Sequence, residues 1–472
     1  MSDHDVTTSS LSLSRRDVLR AAAIGASLAA AAAPLAASAN RQAGAAAAEP
    51  AAAVSADCSN LPLVGGPEFP IGIFWPPPPF ETNRDRYQEI KDAGFTFVVT
   101  GNYLFDEFIT DYALTQADQA GLQVLVADDP GVKAVTRLFT INDDRTVPNS
   151  ITIADARTHI QRALGRYSRH VSFAGFNLFD EPFPVNYPTL GKATQIVREL
   201  GPTALPYSNL LPGQGPDYDT YVGEYVKQTK PPLISFDRYP LLADGSDDLN
   251  YFQNWVQIRK AGLTANLPTW VYIQTLAYNN HRSPTKEELL WQINVSLAYG
   301  AKGIQYFTYW TPDPARGEGF QPALITIDGQ RTPRYDFSQE INTSWLPQVG
   351  RQLKPLVSEL VVHANETHLP PATTPFTPDA YLRSVTGGAV ILGRFASPDS
   401  AQADTRWLLV ANRSHKQSTT VQLRTEARKV RRADRFDPGT NSYVELRDPS
   451  RIPVTVGPGA ATLLRLRGGS DA

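Results

Sequence analysis

The chain has 472 residues, more than one small domain needs and enough for a large core with an additional module. The formal net charge of -3 at pH 7 implies no bulk attraction to nucleic acid, which is therefore not an expected partner. Hydrophobic residues make up 42% and charged residues 19% of the chain, and both values are ordinary for a globular protein.

The N-terminus has the features of an export signal. The run from Ser14 to Arg20, with Arg15 and Arg16, resembles the twin-arginine signature, and an alanine-rich apolar stretch follows over residues 21–37. Ala37-Ser38-Ala39 suits a signal peptidase. We predict a cleaved signal peptide over residues 1–39 rather than a permanent anchor. The expected location is extracellular or in the cell envelope, with no stable membrane insertion after cleavage.

Residues 40–65 follow the signal and are rich in alanine, so we predict a disordered leader there. Cys58 is the only cysteine, and no intrachain disulfide can form. A lipid-anchored cysteine fits poorly because Asp57 precedes it. We expect a free surface thiol.

From about residue 66 the chain alternates short apolar runs with amphipathic stretches, a pattern typical of parallel βα units. Eight runs are predicted strands, at residues 71–75, 95–99, 122–126, 172–179, 205–207, 233–236, 269–273 and 303–307. Helices are predicted between them at 84–93, 113–120, 153–168, 189–200, 218–227, 251–261 and from 283 to about 299, with a last helix at about 337–361. Eight such units predict a closed (β/α)8 barrel over residues 66–368. The rival is an open doubly wound sheet, but no Gly-x-Gly-x-x-Gly turn follows the first strand.

The pattern changes at about residue 373 to short alternating runs separated by turn residues, at 381–385, 389–392, 407–410, 420–423, 442–446 and 461–466. These runs predict an antiparallel β-sandwich, an accessory domain over residues 369–472, joined through the proline-rich stretch Leu369 to Ala372.

The fourth predicted strand ends in two adjacent carboxylates and a proline, Asp180-Glu181-Pro182. Cleavage of a glycosidic bond needs a protonated carboxyl at the leaving oxygen and usually a second carboxyl nearby. The alternative is a strand end capped by solvated acids. The position of these acids within eight βα units favours a catalytic role, because barrel active sites lie at the C-terminal ends of the strands.

The other strand ends carry acids, amides and aromatic rings, which suit the hydroxyls and apolar faces of sugars. The candidate ligand-binding residues are Trp75, Asn102, Asp128, Asn209, Tyr239, Gln274, Tyr306, Tyr309 and Trp310, and Asp237 ends the sixth strand. No histidine cluster or Gly-x-Ser-x-Gly elbow occurs at these ends, so we expect neither a catalytic zinc nor an esterase triad, and no cofactor. The carboxylates could alternatively hold calcium, although no metal is our prediction.

Structural roles compete with these assignments. Trp75 and Trp310 could pack in the core, Asp128 could cap the next segment, and Asp237 could be held in an ion pair by the adjacent Arg238. Side chains alternate along a strand, so Asp180 and Glu181 should diverge unless the turn at Pro182 redirects one of them.

Residues of about 66–470 resemble secreted (β/α)8 glycoside hydrolases of the β-galactosidase-like, retaining-glycosidase superfamily. The resemblance rests on the Pro-Thr-x-Glu-Glu-Leu passage at 284–289 and Tyr-Gly-Ala-Lys-Gly at 299–303. It implies a carbohydrate substrate and makes Glu181 the acid/base. The superfamily has Asn where Asp180 stands, and a glutamate nucleophile on the seventh strand, where the nearest residue here is Gln274. An amide cannot serve as that nucleophile.

Two substitutes for the missing nucleophile remain open. Asp237 or Asp180 could be the second carboxylate, because strands four and six contribute to the same layers of a barrel. The Asp-Glu pair also resembles that of N-acetylhexosaminidases, whose substrate supplies its own acetamido nucleophile. In that case Asp180 would orient the acetamide, Tyr239 or Tyr309 would bind its oxygen, and Trp310 would wall the pocket.

We therefore predict a secreted hydrolase of O-glycosidic bonds, with Glu181 as general acid/base. Two nearby carboxylates raise the pKa of one of them, which would keep a proton available. Because the seventh-strand glutamate is missing, a catalytically inactive barrel that only binds carbohydrate is the alternative from another class.

Overall fold

The computed structural model describes Cys58 and residues 60–468. The predicted signal peptide and most of the leader lie outside these residues. The end of the leader is folded, contrary to the prediction: Leu61, Leu63 and Val64 are buried beneath the barrel interior. The prediction of a surface thiol is also wrong, because Cys58 is 3% exposed and its Sγ lies 3.7 Å from the carbonyl oxygen of Pro232. No helix in the described part of the chain is long and apolar enough to cross a membrane.

Eight parallel strands close into a barrel, as predicted. In chain order the strands up to the last barrel strand are β1 Ile71–Phe74, β2 Phe97–Val99, β3 Gln123–Val126, β4 Thr140–Ile141, β5 Ser150–Ile151, β6 Phe173–Asp180, β7 Leu205–Leu210, β8 Ile234–Asp237, β9 Thr269–Gln274 and β10 Gly303–Phe307. The short pair β4 and β5 lies outside the barrel, whose order is β1-β10-β9-β8-β7-β6-β3-β2.

Helices follow the barrel strands. They are α1 Arg84–Asp92, α2 Glu107–Ala120, α3 Pro130–Lys133, α4 Ile153–Tyr167, α5 Tyr187–Leu200, α6 Pro216–Thr229, α7 Asn250–Ala265, α8 Lys286–Ala298, α9 Pro333–Glu340 and α10 Leu346–Leu353. Local signals set their ends. Thr285 and Glu288 form a reciprocal capping box at the start of α8, and α2 ends at Gly121, whose φ of 65° favours glycine.

Alternation along the strands separates two apolar layers. On β9, Trp270 and Tyr272 belong to the cluster inside the barrel, whereas Val271 and Ile273 pack against the helices. Gln305 on β10 donates through Nε2 to the hydroxyl of Tyr207 on β7 at 2.9 Å, and these strands are not neighbours. Only side chains that cross the interior can make such a contact.

Two antiparallel sheets form the C-terminal domain, confirming the predicted sandwich. The nine strands are β11 Val357–Ala364, β12 Leu382–Gly387, β13 Val390–Ala396, β14 Thr405–Asn412, β15 Thr419–Thr425, β16 Arg432–Asp437, β17 Ser442–Glu445, β18 Arg451–Val456 and β19 Ala461–Arg467. The sheet orders are β11-β13-β14-β19-β16-β17 and β12-β15-β18. One apolar cluster contains residues of both sheets, such as Leu392 and Leu464 from the first and Leu423 and Val454 from the second.

The predicted helix over 337–361 is wrong at its C-terminal end. The helix α10 ends at Leu353, Pro355 follows, and β11 pairs with β13 in the C-terminal sheet. Proline lacks the N–H that a helix needs, and the Val-rich run after it suits a strand. The first strand of this sheet thus precedes residue 369, where the sequence predicts the accessory domain to begin.

Candidate active site

The end of β6 turns sharply at the two adjacent acids. The pairing of β6 with β7 shifts register between Asn177 and Phe179, which brings Asp180 beside Asn209. Glu181 has a left-handed φ of 57°, and its N–H donates to the carbonyl oxygen of Asn209 at 2.8 Å. Both carboxylates are partly exposed. The left-handed turn breaks the strand alternation that would have sent the two side chains to opposite faces.

Asp237 ends β8 and is buried, with 7% of its surface exposed. Burial raises the pKa of its carboxyl well above the ordinary value, and the negative charges of Glu181 and Asp180 raise this pKa further. A hydrogen bond from Asn209 Nδ2, 2.8 Å from Oδ1, opposes the shift. The fold therefore brings three predicted catalytic residues into one electrostatic neighbourhood, in which the pKa of Asp237 is raised.

The competing ion pair for Asp237 does not form. The adjacent Arg238 pairs with Asp248, with Nη2 and Oδ2 2.5 Å apart, and its Nη1 bonds Gln214 at 2.9 Å. The carboxyl of Asp237 is thereby left facing Asn209 and the other two acids.

A line of hydrogen bonds crosses the barrel interior toward Asp237. Gln305 Nε2 donates to the Tyr207 hydroxyl, which lies 2.8 Å from Ser235 Oγ, and Ser235 donates to Asn209 Oδ1 at 2.9 Å. An amide nitrogen can only donate, so Gln305 at one end and Asn209 at the other fix the direction of the chain. Every donor points toward Asp237, which holds this carboxyl in one orientation.

Aromatic rings wall the site. Tyr239 stacks on Phe307 with centroids 5.3 Å apart, and Phe74 packs 6.0 Å from Tyr272 and 6.1 Å from Phe307. Burial raises the pKa of Tyr239 well above its usual value, and Asp237 is the largest contributor among the neighbouring charges. Tyr239 therefore keeps its hydroxyl hydrogen and can donate it to a ligand beside the acids.

Several strand ends hold strained backbone. Trp75, Asn102, Tyr103 and Glu181 all have left-handed φ angles, of 63°, 50°, 69° and 57°. Trp75 and Glu181 directly follow β1 and β6, while Asn102 and Tyr103 lie just beyond β2. Such conformations cost energy in residues other than glycine and cluster at functional sites. These four residues lie at the ends of three barrel strands, where barrel active sites are found.

Some predicted ligand-binding residues are engaged near the mouth. Trp75 is 9% exposed and lies under the guanidinium of Arg316, 4.5 Å from its ring centroid. Asn102 donates through Nδ2 to the carbonyl oxygen of Pro76 at 2.6 Å. Asp128 pairs with Arg137 at 3.1 Å and with Lys133 at 3.4 Å.

Four other predicted residues are engaged with the surrounding loops and helices. Gln274 is fully buried, and its amide bonds the N–H and carbonyl of Leu241 and the carbonyl of Arg282. The Tyr306 hydroxyl donates to Asn342 at 2.6 Å and that of Tyr309 to Glu89 at 3.4 Å, in the layer between barrel and helices. Trp310 is 1% exposed and packs in the same layer. These side chains hold the loops and helices that surround the mouth.

The predicted site residues do not include Tyr207, Ser235, Tyr272 or Gln305. Tyr207 and Ser235 precede Asn209 and Asp237 by two positions, and period-two alternation points them to the same face. Tyr272 pairs in register with Asp237. Reading each strand two residues inward from its end would have found three of the four. Within residue 58 and residues 60–468, no group of three or more His, Cys, Asp or Glu side chains is arranged to hold a metal ion.

No family model and no curated protein matches the chain. Solved structures with a similar fold include a β-galactosidase of the haloarchaeon Halorubrum lacusprofundi, with 15% identity and a TM-score of 0.43, covering 58% of this chain and 57% of that one. A β-glucuronidase of Ruminococcus gnavus has 15% identity and a TM-score of 0.40 over 59% of this chain and 50% of its own. An endoglucanase of Pseudomonas stutzeri has 9% identity and a TM-score of 0.41 over 58% of this chain and 93% of its own. This chain thus spans little more than half the length of the galactosidase, and similarity at this level carries no statement about its activity.

Proposed function

We propose that this protein is a glycoside hydrolase acting on an oligo- or polysaccharide, with Glu181 and Asp237 as the reacting carboxyl pair. The observation that carries the proposal is the buried carboxyl of Asp237 at the mouth of the barrel, held by Asn209, where the charges of Glu181 and Asp180 help to raise its pKa. Hydrolysis of a glycosidic bond needs one carboxyl that holds a proton and one that is ionised. Coupled carboxyls in a buried site supply both states at the same pH.

The direction of the pKa shift also suggests the roles. The sequence predicts Glu181 as general acid/base, but burial favours the proton on Asp237. In our proposal Asp237 protonates the departing glycosidic oxygen. Glu181 either attacks the anomeric carbon or removes a proton from the water that does. Carboxyls about 5–5.5 Å apart would give retention of configuration, and about 6.5–9.5 Å would give inversion.

Asp180 supports a second candidate within the same class. Two carboxyls suffice for hydrolysis, yet the charge of Asp180 also raises the pKa of Asp237. A third carboxylate near Asp237 suits a substrate whose own acetamido group is the nucleophile. Asp180 would orient this group, and the Tyr239 hydroxyl would bind its oxygen.

The test is a panel of chromogenic glycosides and polysaccharides assayed with the wild type, Glu181→Gln and Asp237→Asn. General acid–base groups typically contribute 10²–10⁴-fold, so each variant should lose roughly that much activity on natural glycans. Asp237→Asn should keep more activity on a dinitrophenyl glycoside, whose leaving group needs no proton. Glu181→Gln should lose activity on both the natural glycans and the dinitrophenyl glycoside. Glu224→Gln and Asp219→Asn, on the exposed side of α6, are the matched controls.

Each outcome separates the candidates. If Glu181→Gln is the variant that spares the dinitrophenyl substrate, the two roles are reversed. Activity confined to acetamido sugars selects the substrate-assisted reaction. Sugar binding without turnover on any substrate would contradict the proposal and favour a carbohydrate-binding barrel.

We further propose export by the twin-arginine route, on the strength of residues 14–39. Replacing Arg15 and Arg16 with lysine should retain the protein in the producing cells, as measured by immunoblotting of cell and medium fractions. Unchanged export would contradict this part of the proposal.

A further inference from the structure

The segment that follows Asp237 is long and has no helix of its own. This β8 loop, residues 238–249, starts at the candidate acid, carries Tyr239 and ends where α7 begins. Its two ends are joined by the ion pair of Arg238 with Asp248, 2.5 Å apart. The position of Tyr239 therefore depends on what holds the middle of the loop.

The C-terminal domain reaches this loop through the turn between β14 and β15, where Lys416 Nζ donates to the carbonyl oxygen of Gly245 at 3.4 Å and His415 makes the closer contacts. His415 lies in the turn between β14 and β15, and its Nε2 is 3.1 and 3.0 Å from the two carboxylate oxygens of Asp247. Its Nδ1 is 3.4 Å from Glu288 Oε1 on α8. The ring is buried, and both of its nitrogens face carboxylates.

Arg282 completes the cluster from the barrel side. Its Nη2 lies 2.6 Å from Glu288 and 3.3 Å from Asp247, and its Nη1 donates to the carbonyls of Leu242 and Ser246 at 2.9 and 2.8 Å. Asp247 is partly buried, and bonds from His415 and Arg282 hold its pKa below the ordinary value despite the opposing effect of burial. His415 and Arg282 thus hold one loop carboxylate from two domains.

Further hydrogen bonds connect this cluster to the end of β9. The carbonyl of Arg282 accepts a hydrogen bond from Gln274 Nε2 at 2.5 Å, and the same amide bonds the backbone of Leu241 at 3.1 Å on both sides. Gln274 ends β9, the strand paired with β8. A continuous set of contacts therefore runs from the C-terminal domain to the loop that begins at Asp237.

We propose that His415 is a positioning residue of the active site, acting through Asp247 to hold the β8 loop and Tyr239 against the catalytic carboxyls. The C-terminal sandwich is then part of the catalytic architecture rather than an independent accessory module. This inference rests on the proposed role of Asp237.

The alternative role of His415 is adhesion between the domains, and another interface histidine provides the control. His363 on β11 bonds the hydroxyl of Tyr299 at 2.9 Å and Glu366 at 2.7 Å. It is buried in the same interface, and these partners lie outside the β8 loop. His363→Phe should weaken the interface and leave the loop as it is.

The experiment is hydrogen exchange by mass spectrometry on the full chain, with carbon NMR of the Asp237 carboxyl as a second readout. His415→Phe keeps an aromatic ring but removes both ring nitrogens and their contacts with Asp247 and Glu288. We expect amide exchange over residues 239–248 to rise roughly tenfold or more, because a buried bond to a charged group is lost. The measured pKa of Asp237 should fall toward the ordinary value as the loop opens to water. His415→Gln, which retains one donor, should be intermediate.

Unchanged exchange in the β8 loop of His415→Phe would overturn the proposal, and so would an Asp237 titration identical to that of the wild type. An equal rise in exchange in His363→Phe would reduce His415 to domain adhesion and overturn it too. Neither readout needs a substrate, so these results are independent of whether the glycoside panel finds activity.

Discussion

Asp237 is 7% exposed at the end of β8, and the carboxylates of Glu181 and Asp180 lie near enough to raise its pKa. The same side chain accepts an oriented hydrogen bond from Asn209. Its environment therefore favours the neutral acid over the carboxylate, and this preference has a measurable effect on stability as well as on chemistry.

Replacing Asp237 with asparagine should make the folded protein less sensitive to pH. At low pH the aspartate is protonated in both states and contributes nothing. As pH rises from the ordinary carboxyl range toward the raised pKa, the unfolded chain loses its proton and the folded protein keeps it, so unfolding becomes easier in the wild type. The free energy of unfolding of the wild type falls by about 1.4 kcal/mol for each unit of difference between the folded and unfolded pKa values. The asparagine variant has no carboxyl at this position and does not show this fall.

Urea unfolding at a series of pH values tests this expectation. The variant should gain stability over the wild type above the ordinary carboxyl range, and the two should converge at acid pH. A variant that is less stable than the wild type at neutral pH would contradict a raised pKa of the Asp237 carboxyl.

At the scale of elements, the path of β6 depends on a glycine. Gly175 has a φ of 146°, and a Cβ there would lie 2.2 Å from the carbonyl oxygen and 2.3 Å from the nitrogen of Leu205 on β7. Backbone atoms cannot move aside as side chains do, so the substitution must push β6 away from β7. The strand that delivers Asp180 and Glu181 would move with it.

Gly175→Ala should therefore destabilise the protein by about 1–3 kcal/mol or more and reduce activity. Gly223 in α6 is the control, because a Cβ there has no neighbour within 4 Å. Alanine in a helix interior is favoured over glycine by about 0.5–1 kcal/mol, so Gly223→Ala should stabilise the protein by that amount. Thermal unfolding followed by circular dichroism measures both, and similar effects of the two variants would contradict the close approach of β6 and β7.

Most of the fold could be predicted because apolar runs and turn residues agree with it. The eight barrel strands were predicted within about three residues at each end. The strand β16 was missed because it is charged: its Asp434 is buried only by pairing with Arg465 and Arg467 at 3.0 and 2.8 Å. The strand β18 was missed although its alternating burial is regular, because Pro453 interrupts the pattern; as an outer strand of its sheet it tolerates proline.

The site was less predictable than the fold for a different reason. The Asp-Glu pair and Asp237 could be chosen from their positions at strand ends. Tyr306, Tyr309 and Trp310 are also at or just past the end of a strand, but they face the helices, and only the direction of the side chain decides between the two sides. The left-handed turn at Glu181 and the chain from Gln305 to Asp237 depend on register across non-neighbouring strands, which one strand read alone does not contain.

At the scale of the molecule, the barrel and the sandwich share one apolar core. Side chains of β13, β14 and β19, such as Phe395, Leu409 and Leu463, join the cluster between the barrel strands and helices. Polar contacts reinforce it: Trp291 Nε1 donates to the carbonyl of Arg413 at 3.0 Å and Asn294 Nδ2 to that of Gly459 at 2.8 Å. Neither domain can unfold without exposing part of the core of the other.

We expect a single calorimetric unfolding transition for the full chain. A Cβ at Gly393 on β13 would lie 2.4 Å from the carbonyl oxygen of Ala298 on α8, so Gly393→Val should wedge the domains apart. The variant should unfold at lower temperature, with the transition broadened or split in two. Two well-separated transitions in the wild type would contradict a shared core.

In the proposed function, Asp237 keeps its proton beside the charge of Glu181 at the open end of the barrel. The most direct measurement is a carbon NMR titration of the Asp237 carboxyl in the wild type and in Glu181→Gln, with Asp237→Asn identifying the resonance. We predict that Asp237 titrates well above an ordinary aspartate and that removing the charge of Glu181 moves its titration to lower pH. An Asp237 carboxyl that titrates in the ordinary range, or one indifferent to Glu181→Gln, would contradict the account.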